Sequence, residues 1–166
     1  MNKFKLNPNI SVGPFIFGTK REEVWKMMKL EFGTERELPT FEREYYKNPN
    51  VLLEYIDDKL VSVSFIDDRN KRYCEIYLNG EKIWPRTQKK FFSIFKENSF
   101  VDVYGTYMSP ELSVTSEWEL DENHSLLLAV KGYCKELIKT FPNLCTIDSK
   151  INLESPGFNF IKQQDS

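Results

Sequence analysis

The chain has 166 residues, of which 40% are hydrophobic and 29% charged, with a formal net charge of −2. That length suits one domain, and an aromatic content of 14% supplies bulk for a sizeable core. The balance excludes a global basic field for nucleic acid and wholesale disorder, and no apolar run reaches the about 20 residues that span a bilayer.

Residues 1–9 are polar with one proline and read as a lead-in. They have no apolar core of a signal peptide, so the expected compartment is the cytoplasm. Ile10 to Phe17 is apolar and reads as a short edge strand, because Pro14 cannot donate to a ladder. Gly18 allows a sharp turn into a helix. Thr19 and Glu22 have the spacing of a capping box, and Glu22 and Glu23 suit the first-turn dipole. Val24, Met27 and Met28 repeat at helical spacing with Trp25 beside them, predicting a helix from Arg21 to about Glu31 that ends near Gly33.

Strands are expected at Phe41–Tyr46, Val51–Ile56 and Leu60–Ile66, the last two joined by the turn Asp57-Asp58-Lys59. Tyr73 to Leu78 is another strand, turned by Asn79-Gly80 into Glu81–Trp84. Pro85 opens a second helix with Gln88, Phe91, Phe92 and Phe95 near one face, ending near Asn98. Val101–Tyr107, Leu112–Leu120 and Ser125–Tyr133 read as strands, with Asp121-Glu122-Asn123 as a turn and Leu137 and Ile138 continuing. Pro142, Pro156 and Gly157 break regularity beyond Phe141, and the last residues fray.

The expected fold is α+β, with two helices on one face of antiparallel sheet. One domain covers 1–147 and a tail covers 148–166. Helix followed by meander occurs twice, over 10–70 and 73–135, which fits either a tandem duplication or a single domain that alternates.

Few residues offer chemistry. His124 is the only histidine, and no cluster has zinc-ligand spacing. Asp67-Asp68-Arg69-Asn70 is too short for a calcium loop. There is no GxxxxGK[ST], GxGxxG or GxSxG motif. Phosphate at the Gly18-Thr19 turn would face Glu22 and Glu23, so capping is the better reading. Cys74, Cys134 and Cys145 are odd in number without CxxC spacing, and read as reduced buried thiols. No catalytic residue, metal or cofactor is therefore expected.

Carboxylates are more suggestive. Glu117 and Glu119 stand two apart on a strand and project to one face, with Trp118 on the other. Glu111, Asp121 and Glu122 flank them, and no Lys or Arg occurs from Ser109 to Ser125. A solvated face explains the pattern. The functional alternative is a surface that steers a basic partner, with Tyr104, Tyr107 and Trp118 as aromatic anchors. Lys82, Arg86, Lys89 and Lys90 form an opposite patch that solvates the second helix.

Gly13 to Trp25 reads G-P-F-x-F-G-x-x-x-E-E-V-W. With the chain length and the repeated strand–turn–helix, it resembles YokJ-type immunity proteins, encoded beside LXG-type polymorphic toxins of Gram-positive bacteria. The helix-then-meander pattern also resembles, in topology alone, the β-lactamase inhibitor protein. The first resemblance implies a cytoplasmic antitoxin that neutralises a toxin, with a nuclease C-terminal domain, by protein–protein contact. It offers no catalytic residue to carry over, and the charge balance and lack of a long apolar run add the expectation of no direct nucleic-acid or membrane binding. A small-ligand-binding or hydrolytic domain, built around His124 or the carboxylates, is the competing expectation.

Overall fold

The computed structural model describes residues 1–37, 39–68, 74–97, 99–119, 124–132 and 159–160. The chain opens with strands β1 (Asn2–Asn7), β2 (Ser11–Val12) and β3 (Phe15–Ile16), then helix α1 (Arg21–Phe32). A meander follows: β4 (Arg43–Lys47), β5 (Asn50–Ile56) and β6 (Lys59–Ile66). The hairpin β7 (Cys74–Leu78) and β8 (Glu81–Trp84) leads to helix α2 (Gln88–Ser93). Then come β9 (Val101–Val103), β10 (Thr106–Ser109), β11 (Val114–Trp118), β12 (Ser125–Lys131) and β13 (Asn159–Phe160).

Among the described residues these strands form two sheets. One runs β3-β2-β1-β7-β8, and the other runs β13-β9-β10-β11-β12-β6-β5-β4. Pairing is antiparallel except between β1 and β7, where Phe4 lies beside Ile76. The α+β, mostly antiparallel expectation holds at that level.

Residues 1–9 are no lead-in. Phe4 and Leu6 are buried while Lys3 and Lys5 are exposed, so a period-2 strand lies under the polar composition. Its two edges pair with β2 and β7, which makes it the middle of its sheet. Ile10–Phe17 is likewise not one strand. Gly13 turns it into the β2–β3 hairpin at φ 55, and a Cβ there would stand 2.5 Å from the Phe4 ring.

The capping box does not form. Lys20, not Thr19, is the N-cap of α1, and no side chain caps it. The β5–β6 turn supplies the acceptor instead: the Arg21 amide donates to the Asp58 carbonyl at 2.9 Å. Leu60 N–H donates to Thr19 O at 2.9 Å and Gly18 N–H to Leu60 O at 2.8 Å. The helix start is thus stitched to a hairpin about 40 residues later (from Gly18 to Leu60). Its end is as expected, with Gly33 left-handed at φ 61 and its amide on Lys29 O.

Pro85 does not open α2. It follows a cis Trp84–Pro85 bond, and the helix begins after Thr87, whose hydroxyl accepts from Lys90 N–H. The helix is also shorter than expected, ending at Ser93. Val101–Tyr107 divides into β9 and β10 at Tyr104-Gly105. Tyr73, Asn98, the 121–123 turn, Cys134, Leu137, Ile138 and Cys145 lie outside the described residues. Cys74 is buried and unbridged, and burial pushes its thiol up to about 12.

Aromatic rings fill the core. Phe65, on β6, has its centroid 6.1 Å from Phe4, 6.2 Å from Phe15 and 6.1 Å from Trp84. It thereby touches three strands of the other sheet. A second group centres on Phe91, whose ring lies 5.3 Å from Phe100, 4.9 Å from Phe95 and 5.2 Å from Trp118. Each such edge or tilted pair adds about 0.5–1.5 kcal/mol beyond area burial.

A fully buried charge sits in this interior. Glu44, on β4, has a side chain 0% exposed. Its Oε1 accepts from Arg21 Nε at 2.6 Å and Arg36 Nη1 at 3.0 Å. Its Oε2 accepts from the Tyr46 hydroxyl at 3.0 Å and the Tyr55 hydroxyl at 3.3 Å. Arg21 also donates to the carbonyls of Thr40 and Phe41, which ties α1 to the approach to β4. Burial acts to raise the Glu44 pKa, but the hydrogen bonds from Arg21, Arg36 and Tyr46 hold it below the usual carboxylate value. Burial, reinforced by the Glu44 charge, pushes the Tyr46 and Tyr55 phenols up.

Glu44→Gln removes the charge and leaves two guanidinium groups uncompensated. The expected loss at neutral pH is about 2–3 kcal/mol, moderated because Arg36 reaches solvent. The folded carboxyl titrates below its unfolded value of about 4.3, so its contribution is complete above that pH. It drains as pH falls through the lower folded value. Urea unfolding across an acid series checks this: the gap between wild type and Glu44→Gln should close in acid.

Candidate functional site

The residues that sequence reasoning singled out do not form one patch. Tyr104 is 87% exposed at the turn between β9 and β10. Glu117 is exposed on β11 and lies opposite Thr106, two residues from Tyr104. Glu111 is exposed too, but it lies in the turn after Ser109, at the far end of the β10–β11 ladder. At about 3.4 Å per residue, that ladder separates Glu111 from Glu117 by roughly 10–14 Å. Asp121 and Glu122 lie outside the described residues.

Alternation does not govern Glu119. The β11–β12 register shifts between Glu117 and Trp118, and Glu119 falls beyond the strand. Its amide donates to the His124 carbonyl at 3.0 Å. Tyr107 and Trp118 are half-buried rather than displayed. The Tyr107 ring lies 4.8 Å from Phe92, and the Trp118 ring 5.2 Å from Phe91. Trp118 Nε1 donates to Ser116 Oγ at 3.2 Å. Both rings face α2 because Tyr107 and Ser116 pair across the ladder and Trp118 is two residues on.

Tyr104 stands apart for its backbone. Its φ is 52 and that of Gly105 is 87, the two positive values of a type I′ hairpin turn. The same geometry occurs at Asp57-Asp58 (φ 48 and 60) and Asn79-Gly80 (φ 51 and 83). Those turns use Asp, Asn and Gly, which tolerate the left-handed region. A bulky side chain there costs about 1–2 kcal/mol, and this one packs into solvent.

Folding also builds a pocket that the sequence did not announce. β6 ends at Ile66 opposite Leu127, so Asp67 comes beside Ser125 and His124. Ser125 Oγ donates to Asp67 Oδ2 at 3.1 Å, across 58 residues of chain. His124 Nε2 lies 3.3 Å from the same oxygen, without hydrogen-bond alignment. Lys82, Arg86 and Lys90 complete the lining of a cavity of about 380 Å³. Part of the basic patch on β8 and α2 thus meets the end of the stretch that lacks Lys and Arg. No spacing in the sequence signals this, because Asp67, Arg86 and His124 belong to separate elements.

The arrangement can hold an anion. For nucleophilic chemistry a hydroxyl must give its proton to the imidazole, whereas the Ser125 hydroxyl is bound to the carboxylate and is buried. Among the described residues no three His, Cys, Asp or Glu side chains converge on a metal-sized space. No helix there is long and apolar enough to cross a membrane. Compared with family models, curated proteins and solved structures, the chain gives no match.

Because Tyr107 and Trp118 pack against α2, their truncation should read out as stability. Tyr107→Ala and Trp118→Ala are each expected to lose about 2 kcal/mol or more in urea unfolding. Values near zero would return both side chains to the exposed surface.

Proposed function

We propose that the protein is an immunity protein, which binds the C-terminal nuclease domain of a toxin and blocks it by contact. Tyr104 carries this reading. It is an exposed aromatic residue held at positive φ, in a turn where Asn or Asp would be less strained. A folded chain gains nothing internal from that choice, whereas a tyrosine on a rigid hairpin tip makes an efficient binding anchor. Glu117, exposed beside it, adds the negative charge that steers a basic domain.

The resemblance of the Gly13–Trp25 segment to YokJ-type immunity proteins supports the same assignment. So does the plan of the chain, which we read as two helix–meander units with the helices over one sheet face. The last strand of each meander, β6 and β12, joins the two.

The test is co-expression with the C-terminal domain of the toxin encoded beside this chain. Wild type should restore growth. Tyr104→Asn should raise stability by about 0.5–1 kcal/mol, by relieving the turn, and should lose protection. Full protection by that variant would sink the role of Tyr104. A second variant, Glu117→Lys with Glu119→Lys, should slow association measured by stopped flow and make it less salt-sensitive. Unchanged association would remove the acidic stretch from the interface.

A further inference from the structure

The pocket at His124 holds three cationic side chains, Lys82, Arg86 and Lys90, against the single carboxylate of Asp67. We propose that it binds a small phosphorylated anion, of the class of a phosphate monoester or pyrophosphate. Asp67 offsets part of the attraction; its side chain is 2% exposed, and the Ser125 hydroxyl donates to it within the wall. Lys82 is partly committed to Glu75 at 3.2 Å. Arg86 and Lys90 therefore supply most of the attraction.

Arg86 gives the strongest indication of a ligand. Its Nε is buried with no acceptor among the described residues. A buried guanidinium N–H without a partner is costly, and an oxyanion in the cavity relieves that cost. A planar fork from Arg beside a point charge from Lys suits phosphoryl oxygens. A phosphate monoester carries about −1.5 to −2 at neutral pH, so it gains more from Arg86 and Lys90 than a carboxylate monoanion does. The volume of about 380 Å³ exceeds what one phosphate needs and leaves room for the group that bears it.

His124 makes the test direct, because it is the only histidine in the chain. Its ring resonances report on this pocket alone. The full chain is titrated at fixed pH with pyrophosphate, inorganic phosphate and acetate, while the imidazole signals are followed by NMR. Pyrophosphate should move them saturably, phosphate more weakly, and acetate not at all.

Arg86→Gln and Lys90→Gln should each weaken pyrophosphate binding by about tenfold. Lys26→Gln, on the exposed side of α1, should leave it unchanged. Should Arg86→Gln fail to fold, the exposed Lys90 supplies the reading. Three results would overturn the proposal: no saturable movement, an equal response to acetate, or undiminished affinity in Lys90→Gln. Growth protection against a toxin does not enter this measurement, so the two functional readings stand or fall separately.

Discussion

The packing of one sheet on the other centres on the ring of Phe65. It sits fully buried on β6 and meets Phe4, Phe15 and Trp84 from β1, β3 and β8. The sheets share no strand, so side-chain contact joins them, together with the backbone bonds of Gly18 and Thr19 to Leu60. Burying one Phe contributes about 1.5–3 kcal/mol, and the ring pairs add to it. That contact also fixes the position of β6, which pairs with β5 on one edge and β12 on the other. From there the long sheet extends in both directions.

The interior is not wholly apolar, and its Glu44 carboxylate has a distinct task. Glu44 meets two guanidinium groups and two phenols. A replacement by packed apolar residues could match its stability. What the charge adds is selectivity of arrangement: Arg21 comes from α1, Arg36 from the segment that follows, and Tyr55 from β5. Only one docking of α1 on the first meander satisfies all of them.

The functional candidates lie where this scaffold leaves local rules unobeyed. Tyr104 occupies a turn position that suits Asn. Arg86 has a buried donor that no described residue satisfies. Both features run against local preference, which is what makes them candidates for contact with a ligand or partner. The two places also differ in kind. One is a convex tip suited to a protein surface, and the other is a polar cavity suited to a small anion.

Local structure was readable from the residues alone. The span of α1, its end at Gly33, the Asn79-Gly80 hairpin and the pairing of β5 with β6 follow from periodicity and from backbone sterics within a few residues. The same local reading failed where distant chain decided the outcome. Lys3 and Lys5 masked the Phe4–Leu6 alternation, and only pairing with β7 made it a central strand. The Asp58 carbonyl took over the start of α1, so Thr19 and Glu22 had no cap to form. Tyr107 and Trp118 looked like free anchors until α2 covered them. The sequence by itself determined α1 and the β5–β6 and β7–β8 hairpins, because turn sterics and side-chain period act over short range. Tertiary structure alone decided the order of strands in the sheets, the Glu44 cluster and the His124 pocket. Those depend on which distant surfaces exclude water together, and no spacing along the chain encodes that.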